Sequence, residues 1–377
     1  MVILQKNKFY KKTKKLFNNP GLFFRDYLNK KYASFTNEQK ILEADEIAIV
    51  RHELTRCHLE SKLNGANEPV DVVFTWVNNA DSNWQNRYNT ANVQLGDNIG
   101  LYATDNARFE SHNELYYSVH SVLNYLDWVN KIFIVTDNQV PDWLLEIKSE
   151  KLVIIDHKQI IDEKYLPTFN SHVIEAHLHK IPNLSENFIY FNDDVFVARP
   201  LPKEHFFTTN GNVSIFLAKK SLAKMRKKGV MTPTLFACFN CQELLKERYQ
   251  VEVDMPLVHT YIPLKKSYYE QAWQLYEKKI LAFLPNKFRS NNDLNLASFL
   301  VPYLMFLEGR AVTRAEVCYY FNIRTANAAA QYNKLLAKKM QDEAPHSICA
   351  NDFNSQKQIA NYRENLEVFL KSYFDID

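Results

Sequence analysis

Glycine, cysteine and long apolar runs are all scarce in this chain of 377 residues. The 7 glycines form no G-x-G-x-x-G or Walker-type spacing, which argues against a glycine-cradled phosphate site. The 5 cysteines are odd in number and widely spread, which indicates a reducing compartment without a disulfide framework. Cys238 and Cys241 form a lone C-x-x-C, for which buried thiols are the default over zinc or redox use. No apolar run approaches the ~20 residues that span a bilayer, and residues 1–4 are too short for a signal-peptide core.

The formal net charge is only +3, so bulk charge does not indicate a nucleic-acid partner. Residues 1–31 nevertheless hold nine Lys or Arg and one acidic residue, with Phe, Tyr and Leu interleaved. This pattern is typical of a basic amphipathic segment on an anionic membrane surface. The alternative is a solvated helix that packs its aromatic side chains on the rest of the protein. We therefore expect a cytoplasmic protein bound peripherally to the inner face of the cytoplasmic membrane, with no nucleic acid as partner.

Strand and helix patterns alternate through the middle of the chain. The predicted strands are 71–77, 131–136, 152–155 and 188–197, and the predicted helices between them are 110–127 and 171–181. Such alternation means parallel pairing with helices covering the sheet, so the fold class is α/β.

The remaining segments complete a three-part organisation. Residues 78–107 are rich in Asn, Asp and Thr and predict a long loop. The part after about residue 215 is more helical, with predicted helices at 221–228, 241–249, 265–281, 293–307, 325–341 and 361–373. We thus predict a basic aromatic helical region at 1–66, an α/β catalytic core at 67–215 and a mainly helical part at 216–377 that completes the site.

An amide and two carboxylates interrupt the apolar run 188–197, at Asn192, Asp193 and Asp194. Buried carboxylates need a cation, donors or a wet cleft, and a divalent cation carrying a phosphorylated substrate would satisfy them. The alternative is an Asp-rich turn between two hairpin strands. Ligands bind beyond the carboxyl ends of strands in such sheets, a rule that Asp194 fits but that Asp71, which opens its strand, does not fit simply.

Two further groups of residues are candidates for catalysis or binding. His172, Glu175 and His179 stand on one face of the helix 171–181 and can bind a metal or share a proton, although a solvated polar face is the alternative. His259 follows an isolated apolar stretch, and the cluster 287–293 suits a phosphate clamp. The residues alone do not link the two.

Four separated blocks, in order along the chain, resemble the Stealth family. The family includes bacterial capsule polymerases and the eukaryotic N-acetylglucosamine-1-phosphotransferase. The blocks are Asp71-Val-Val-Phe-Thr-Trp-Val-Asn78, then segments from Arg108 to Asp194, then His259 with residues 289–293, then Ser347-Ile-Cys-Ala-Asn-Asp352. The resemblance implies a Rossmann-like fold similar to that of A-type glycosyltransferases, with a mostly parallel sheet flanked by helices and a C-terminal helical subdomain.

The resemblance also implies sugar-1-phosphate transfer. An acceptor hydroxyl attacks the phosphorus next to the sugar, and a nucleoside monophosphate leaves. The family's proposed catalytic set matches Glu175, Asp194, His259 and Arg289 of this chain. Either His259 or Glu175 is expected to take the acceptor proton.

Further roles follow from the same resemblance. The expected metal is Mg²⁺ or Mn²⁺, held by Asp193, Asp194 and Asp71. The expected substrate-binding residues are Asp71, Arg108, Asn113, Asn138, His179, Asn192, Asn292 and Asp293. The expected donor is a nucleotide sugar, UDP-N-acetylglucosamine, and the acceptor an oligosaccharide or a lipid-linked polysaccharide. Two alternatives stay open: a conventional metal-dependent glycosyltransferase that releases UDP, and a non-catalytic scaffold at the membrane surface.

Overall fold

The structure is a computed structural model that describes residues 37–63, 68–93, 100, 103–229, 231–353 and 358–376, together with 16, 17, 20, 21, 23 and 24. The predicted membrane-surface segment, residues 1–31, therefore lies largely outside the described residues. Among the helices that are described, none is both long enough and apolar enough to cross a bilayer.

Ten strands and eleven α-helices organise the described chain. The strands are β1 (Val70–Thr75), β2 (Ile132–Thr136), β3 (Leu152–Asp156), β4 (Asn187–Asn192), β5 (Val195–Val197), β6 (Val213–Ile215), β7 (Ile262–Lys265), β8 (Ala311–Thr313), β9 (Cys318–Asn322) and β10 (Ser347–Asn351). The helices are α1 (Glu43–Ser61), α2 (Ser82–Val93), α3 (Glu114–Tyr125), α4 (His157–Ile160), α5 (Ser171–Glu175), α6 (Leu222–Lys227), α7 (Pro233–Tyr249), α8 (Lys266–Phe283), α9 (Val301–Leu307), α10 (Asn327–Met340) and α11 (Tyr362–Phe374).

The central sheet has the strand order β3-β2-β1-β4-β7. Its first four strands are parallel, and β7 runs antiparallel to β4 at one edge. Strands β1, β2 and β4 are almost entirely buried, which explains why they are continuous runs of Val, Ile and Phe rather than alternating patterns. The structure confirms the predicted α/β class with a mostly parallel sheet flanked by helices.

A second sheet has the order β5-β10-β9, and β6 pairs with β8 in a separate two-stranded sheet. The chain leaves the central sheet at the end of β4, turns at Asp193 and Asp194, and enters the second sheet as β5. The predicted strand 188–197 is therefore two strands. A turn does separate them, as the alternative held, but β4 and β5 pair with different partners and form no hairpin.

Two other predictions about secondary structure need correction. The predicted loop at 78–107 contains α2, which buries only Trp84 of its residues and so lacks an apolar stripe. The predicted helix 171–181 ends at Glu175 and is followed by a turn and the 3₁₀ helix Leu178–Lys180. The part after residue 215 contains helices α6 to α11, and it joins the rest of the fold because β7 extends the central sheet and β9 and β10 supply two strands of the second one.

Candidate active site

The acidic turn lies at the carboxyl end of β4, where Asn192 is exposed and both acids are partly buried. Asp194 Oδ2 accepts hydrogen bonds from Asn351 Nδ2 at 3.1 Å and Cys349 Sγ at 3.7 Å. Its Oδ1 is buried and has no hydrogen-bond partner among the described residues. Burial raises the pKa of Asp194, and burial together with the charges of Glu114 and Asp194 raises the pKa of Asp193 well above its usual range. Two adjacent acids with an unsatisfied oxygen are suited to a cation.

His259 lies in the loop before β7, close enough to the turn for the charge of Asp194 to raise its pKa. The ring packs on Tyr320 with 4.7 Å between centroids, and 52% of the side chain is exposed. Its Nδ1 lies 3.0 Å from Glu38 Oε2. Desolvation and the Lys220 ammonium lower the pKa of His259, and the Asp194 carboxylate partly opposes the shift. The imidazole is therefore neutral near pH 7, the protonation state that a general base requires.

Glu175 and Arg289 form a second group beside the same edge. Arg289 Nε donates to Ser171 Oγ at 3.0 Å and Nη1 donates to Thr234 Oγ1 at 3.0 Å. In the described ranges no carboxylate pairs with this guanidinium, so its charge is available to an anionic ligand. Glu175 is 6% exposed, and burial raises its pKa. This shift is partly opposed by the charges of His172 and Arg108 and by hydrogen bonds from the Ser171 and Tyr190 hydroxyls.

Tyr190 connects the two groups. Its hydroxyl donates to Asn192 Oδ1 at 2.9 Å and lies 3.0 Å from Thr75 Oγ1. Burial, together with the charges of Glu175 and Asp193, raises the pKa of Tyr190 well above its usual range. Contacts therefore run from Arg289 through Ser171 and Glu175 to Tyr190 and Asn192, which precedes the acidic turn.

The loop that carries Arg289 is fixed to the start of α5 by a buried carboxylate. Asp293 is fully buried, and its Oδ2 accepts from Asn170 Nδ2 at 2.9 Å and from the Ser290 backbone N–H at 2.9 Å, with His172 Nδ1 at 3.0 Å. Its Oδ1 accepts from Asn286 Nδ2 at 2.8 Å. The predicted substrate-binding role of Asp293 is therefore wrong, because both oxygens are already occupied in holding this loop.

Gly100 supports the same loop from the other side. Its backbone N–H donates to the Arg289 carbonyl oxygen at 3.0 Å. A Cβ atom at this position would lie 2.1 Å from Pro233 Cγ and 3.1 Å from the Arg289 oxygen, so the approach requires glycine.

Comparison with known proteins identifies the family of this chain. The model for Stealth protein CR2, conserved region 2, matches residues 108–215. A capsular polysaccharide phosphotransferase of Actinobacillus suis is 56% identical, covering 98% of this chain and 100% of the relative. The chain belongs to the Stealth family. The capsular polysaccharide phosphotransferase LcbA of Neisseria meningitidis is 55% identical over 97% of this Stealth chain and 100% of its own length. The predicted resemblance is thereby confirmed.

Two further comparisons are more distant. The exopolysaccharide phosphotransferase SCO2592 of Streptomyces coelicolor is 32% identical to this Stealth protein, over 82% of the chain but only 32% of its own length. Among solved structures, the galactosyltransferase LgtC matches with a TM-score of 0.37 and 11% identity, covering 79% of this chain and 95% of its own. Because these relatives are all named phosphotransferases, we conclude that this Stealth protein is a phosphotransferase and hence an enzyme.

Asp71 of this Stealth protein lies at the wrong end of the sheet for the predicted metal and substrate roles. It is fully buried near the amino end of β1. Its Oδ1 accepts from Asn130 Nδ2 at 2.8 Å and the Lys131 N–H at 3.0 Å, and its Oδ2 accepts from the Ser185 N–H at 2.7 Å. Both oxygens are satisfied by turns that cover the amino edge, so the prediction for Asp71 is wrong.

His179 is also misplaced by the prediction. Because α5 ends at Glu175, the four-residue spacing no longer puts the two side chains on one helical face. The His179 ring is 7% exposed and stacks on Tyr269 at 5.6 Å between centroids, and burial lowers its pKa to about 3. It is a packed aromatic side chain rather than a substrate contact.

The other predicted substrate contacts divide by position. Arg108 is coupled to Glu175, and burial lowers its pKa, whereas Asn192 bonds to Tyr190 in the site itself. Asn113, Asn138 and Asn292 make no described contact with the four predicted catalytic side chains, and their substrate-binding roles stay predictions; Asn113 and Asn138 adopt left-handed φ angles of 64° and 54°.

Sequence reasoning missed two contributors to the site. Asn351 had only its place in the fourth block as a signal, and the structure shows it donating to Asp194. Glu38 had no signal, because it belongs to a polar segment whose acids are indistinguishable from solvated ones. It is nevertheless 7% exposed and contacts His259.

Proposed function

We propose that this enzyme is a capsular polysaccharide phosphotransferase that moves a hexose- or N-acetylhexosamine-1-phosphate from a nucleotide sugar to an acceptor sugar hydroxyl. The product is a phosphodiester, and the by-product is a nucleoside monophosphate. UDP-N-acetylglucosamine is the donor that the family resemblance favours. The observation that supports the proposal is the chain of contacts from Arg289 through Ser171 and Glu175 to Tyr190 on β4, the strand that leads into the unsatisfied Asp194.

The chain's own residues suit the steps of such a transfer. His259 takes the proton from the acceptor hydroxyl while that oxygen bonds to the phosphorus beside the sugar. The bond from this phosphorus to the oxygen of the nucleoside monophosphate breaks, and the leaving phosphate keeps the electron pair. Arg289 neutralises the charge on the phosphoryl oxygens, as phosphoryl transfer depends mainly on positioning and electrostatics. A preorganised contact of this kind is worth about 3–4 kcal/mol.

Glu175 has a different place in this scheme. It is buried and its neighbours are Ser171, Tyr190 and Arg108, whereas His259 is open to an incoming acceptor. We therefore assign the base to His259. Glu175 holds the Ser171 and Arg108 side of the site, where it orients the groups that contact the diphosphate.

The acidic turn fits a divalent cation that arrives with its substrate. Mg²⁺ in such enzymes is held by one or two carboxylates plus substrate phosphates. Asp194, through its unsatisfied Oδ1, and the adjacent Asp193 would supply these ligands. Within the described part of the chain, the groups able to offer three protein ligands are His205–Glu316–His346 and Glu110–His112–Asp352, and neither contains the turn. When bound, Mg²⁺ or Mn²⁺ would offset charge on the diphosphate.

The location of the enzyme is proposed from charge alone. We propose that residues 1–31 bind the anionic inner face of the cytoplasmic membrane. Co-sedimentation with anionic vesicles should fall sharply when residues 1–33 are deleted, while turnover on a soluble acceptor is kept. Equal sedimentation of the two proteins would remove the membrane proposal without touching the catalytic one.

The by-product decides between transfer with and without phosphate. The purified protein is incubated with Mg²⁺, a panel of nucleotide sugars and a short acceptor, and ³¹P NMR follows the products. We expect a phosphodiester resonance together with UMP, both absent with Arg289→Ala. Release of UDP with no phosphodiester would instead establish the conventional glycosyltransferase, and the absence of any turnover across the panel would contradict both.

A further inference from the structure

The turn at residues 37–39, which precedes the predicted catalytic core in the sequence, places the carboxylate of Glu38 beside the His259 ring. Asn37, Glu38 and Gln39 are three consecutive polar residues, exposed by only 6%, 7% and 8%. Polar side chains buried in sequence are costly unless each is hydrogen-bonded. All three are bonded, and in three different directions.

The two outer residues anchor the turn. Asn37 Oδ1 accepts from the Ile41 backbone N–H at 2.9 Å, which closes the turn on itself. Gln39 Nε2 donates to the carbonyl oxygens of Leu217 at 3.2 Å and Arg314 at 3.1 Å. Its Oε1 accepts from the Glu316 backbone N–H, just before β9, at 2.9 Å. The turn is thereby fixed to the chain that follows β6 and β8.

The middle residue faces His259. Glu38 Oε2 accepts from the His259 backbone N–H at 2.7 Å, and both carboxylate oxygens lie 3.0–3.1 Å from His259 Nδ1. Lys220 Nζ also pairs with Glu38 Oε1. The other groups that face the imidazole are Asp194, by its charge, and the ring of Tyr320. Among the described residues the ring's hydrogen bonds are made by Nδ1 and none by Nε2, in a side chain that is 52% exposed.

We propose that Glu38 is the positioning residue of His259, an inference that rests on the proposed function. An ionised carboxylate accepts hydrogen bonds only, so Nδ1 must carry the ring hydrogen and Nε2 must be the bare nitrogen. The lone pair on Nε2 takes the proton of the acceptor hydroxyl as that oxygen bonds to phosphorus. The resulting imidazolium donates to Glu38, which stabilises it until the proton passes to solvent.

Glutamine at position 38 separates this role from a merely structural one. The amide oxygen of Glu38→Gln can still accept from the His259 backbone N–H, so the loop keeps its anchor. The amide nitrogen then takes the place of Oε1, 3.1 Å from Nδ1, where it can only donate. It therefore favours the tautomer with the ring hydrogen on Nε2, and the substitution also removes the negative charge that stabilises the imidazolium. The same exchange of acid for amide beside a catalytic histidine leaves geometry intact in serine proteases while disabling catalysis.

Kinetics test the proposal first. We expect Glu38→Gln to lower kcat for release of the nucleoside monophosphate by about 100-fold or more, with KM for donor and acceptor within about threefold. The matched control is Glu53→Gln, a buried acid on α1 that pairs with Arg56, and it should keep the wild-type kcat. A Glu38→Gln enzyme with kcat within about threefold of wild type, or a loss that tracks only unfolded protein in a thermal melt, would overturn the proposal.

Histidine-selective ¹⁵N NMR tests the pairing without any turnover. His259 is assigned as the resonance lost in His259→Gln. We expect the wild-type ring to be the Nδ1–H tautomer and the ring in Glu38→Gln to be the Nε2–H tautomer. An unchanged tautomer would refute the positioning role even if the enzyme transfers sugar phosphate. The expected exchange of tautomers, in a protein that transfers none, would leave the pairing standing and the proposed function refuted.

Discussion

Two acids on neighbouring strands, at opposite ends of the same sheet, have opposite surroundings. Asp71, near the amino end of β1, accepts three hydrogen bonds, two of them from backbone N–H groups. Asp194, just past the carboxyl end of β4, leaves one buried oxygen without a donor from the described part of the chain. A carboxylate whose acceptors are filled is part of the fold, whereas one with an acceptor left over is available to a ligand. Charge in an apolar strand therefore indicates function only when its donors are counted.

The largest effect is expected for Asp194→Asn. Removal of the charge should abolish transfer, with less than a tenth of the wild-type rate remaining and a loss of 10²–10³ or more. Stability should stay equal or rise, because a buried, unsatisfied carboxylate is replaced by a neutral amide. Turnover and urea unfolding of the same preparation check both halves. More than a tenth of the activity would remove Asp194 from the mechanism.

The other side of the site should respond almost as strongly. Arg289→Ala is expected to lower kcat/KM by about 10²–10³, since it removes the guanidinium that we propose as the phosphate ligand. Arg248→Ala, which removes an exposed guanidinium on α7, is the control and should change activity by less than about twofold. Initial rates of monophosphate release measure both. Equal rates for the two variants would show that Arg289 is not a phosphate ligand.

Asp71→Asn should invert the Asp194 result. One amide oxygen replaces two carboxylate oxygens, so at least one buried N–H loses its acceptor, at a cost of about 1–3 kcal/mol for each group left unsatisfied. We expect the free energy of unfolding to fall by about 2–4 kcal/mol in urea titrations. Turnover per folded molecule should be unchanged, and a selective loss of kcat would return Asp71 to the site.

The smallest expected effect extends the comparison from carboxylates to a buried imidazole. The pKa of His179 is lowered to about 3 by burial, so below the unfolded value of about 6.5 the unfolded chain binds one proton more. Stability from this group is therefore lost as the pH falls from about 6.5 towards 3, by about 1.4 kcal/mol per pH unit.

His179→Phe removes that dependence. At pH 5, relative to pH 7, the variant should gain about 2 kcal/mol over wild type in the free energy of unfolding. Its turnover at pH 7 should be the wild-type value, because the ring packs on Tyr269 away from the site. Parallel pH profiles of stability in the two proteins would show that the His179 ring is not held neutral by burial.

Elements with long apolar runs could be predicted from the sequence, and short ones could not. Strands β1, β2, β3 and β4 are rich in apolar residues, so their existence and parallel order follow from the alternation with helices. Strands β6 and β8 have three residues each and pair across about a hundred positions, which no local pattern records. Helix α2 was not predicted from the sequence because Trp84 alone among its residues is buried, which leaves no apolar periodicity.

The site divides in the same way. Asp194 is visible in the sequence as a charge that interrupts a buried strand. Asp293 and Glu38 both carry a carboxylate, and the sequence does not separate their roles. In the structure Asp293 is enclosed by hydrogen-bond donors, whereas Glu38 contacts the exposed imidazole of His259. That difference depends on contacts across more than a hundred residues, which the local sequence does not contain. Glu175 and His179 show the converse error, where a helix shorter than predicted separated a matching pair.

The change of sheet between β4 and β5 has a consequence for how the enzyme can move. Asn192 closes the last pairing of the central sheet, and Val195 opens the first pairing of the second one. Only Asp193 and Asp194 lie between them. Because only these two residues join the sheets, a rotation of either sheet relative to the other would displace the two carboxylates directly. An inserted residue at this point would therefore shift Asp194 relative to Asn351, which donates to it from β10 of the second sheet.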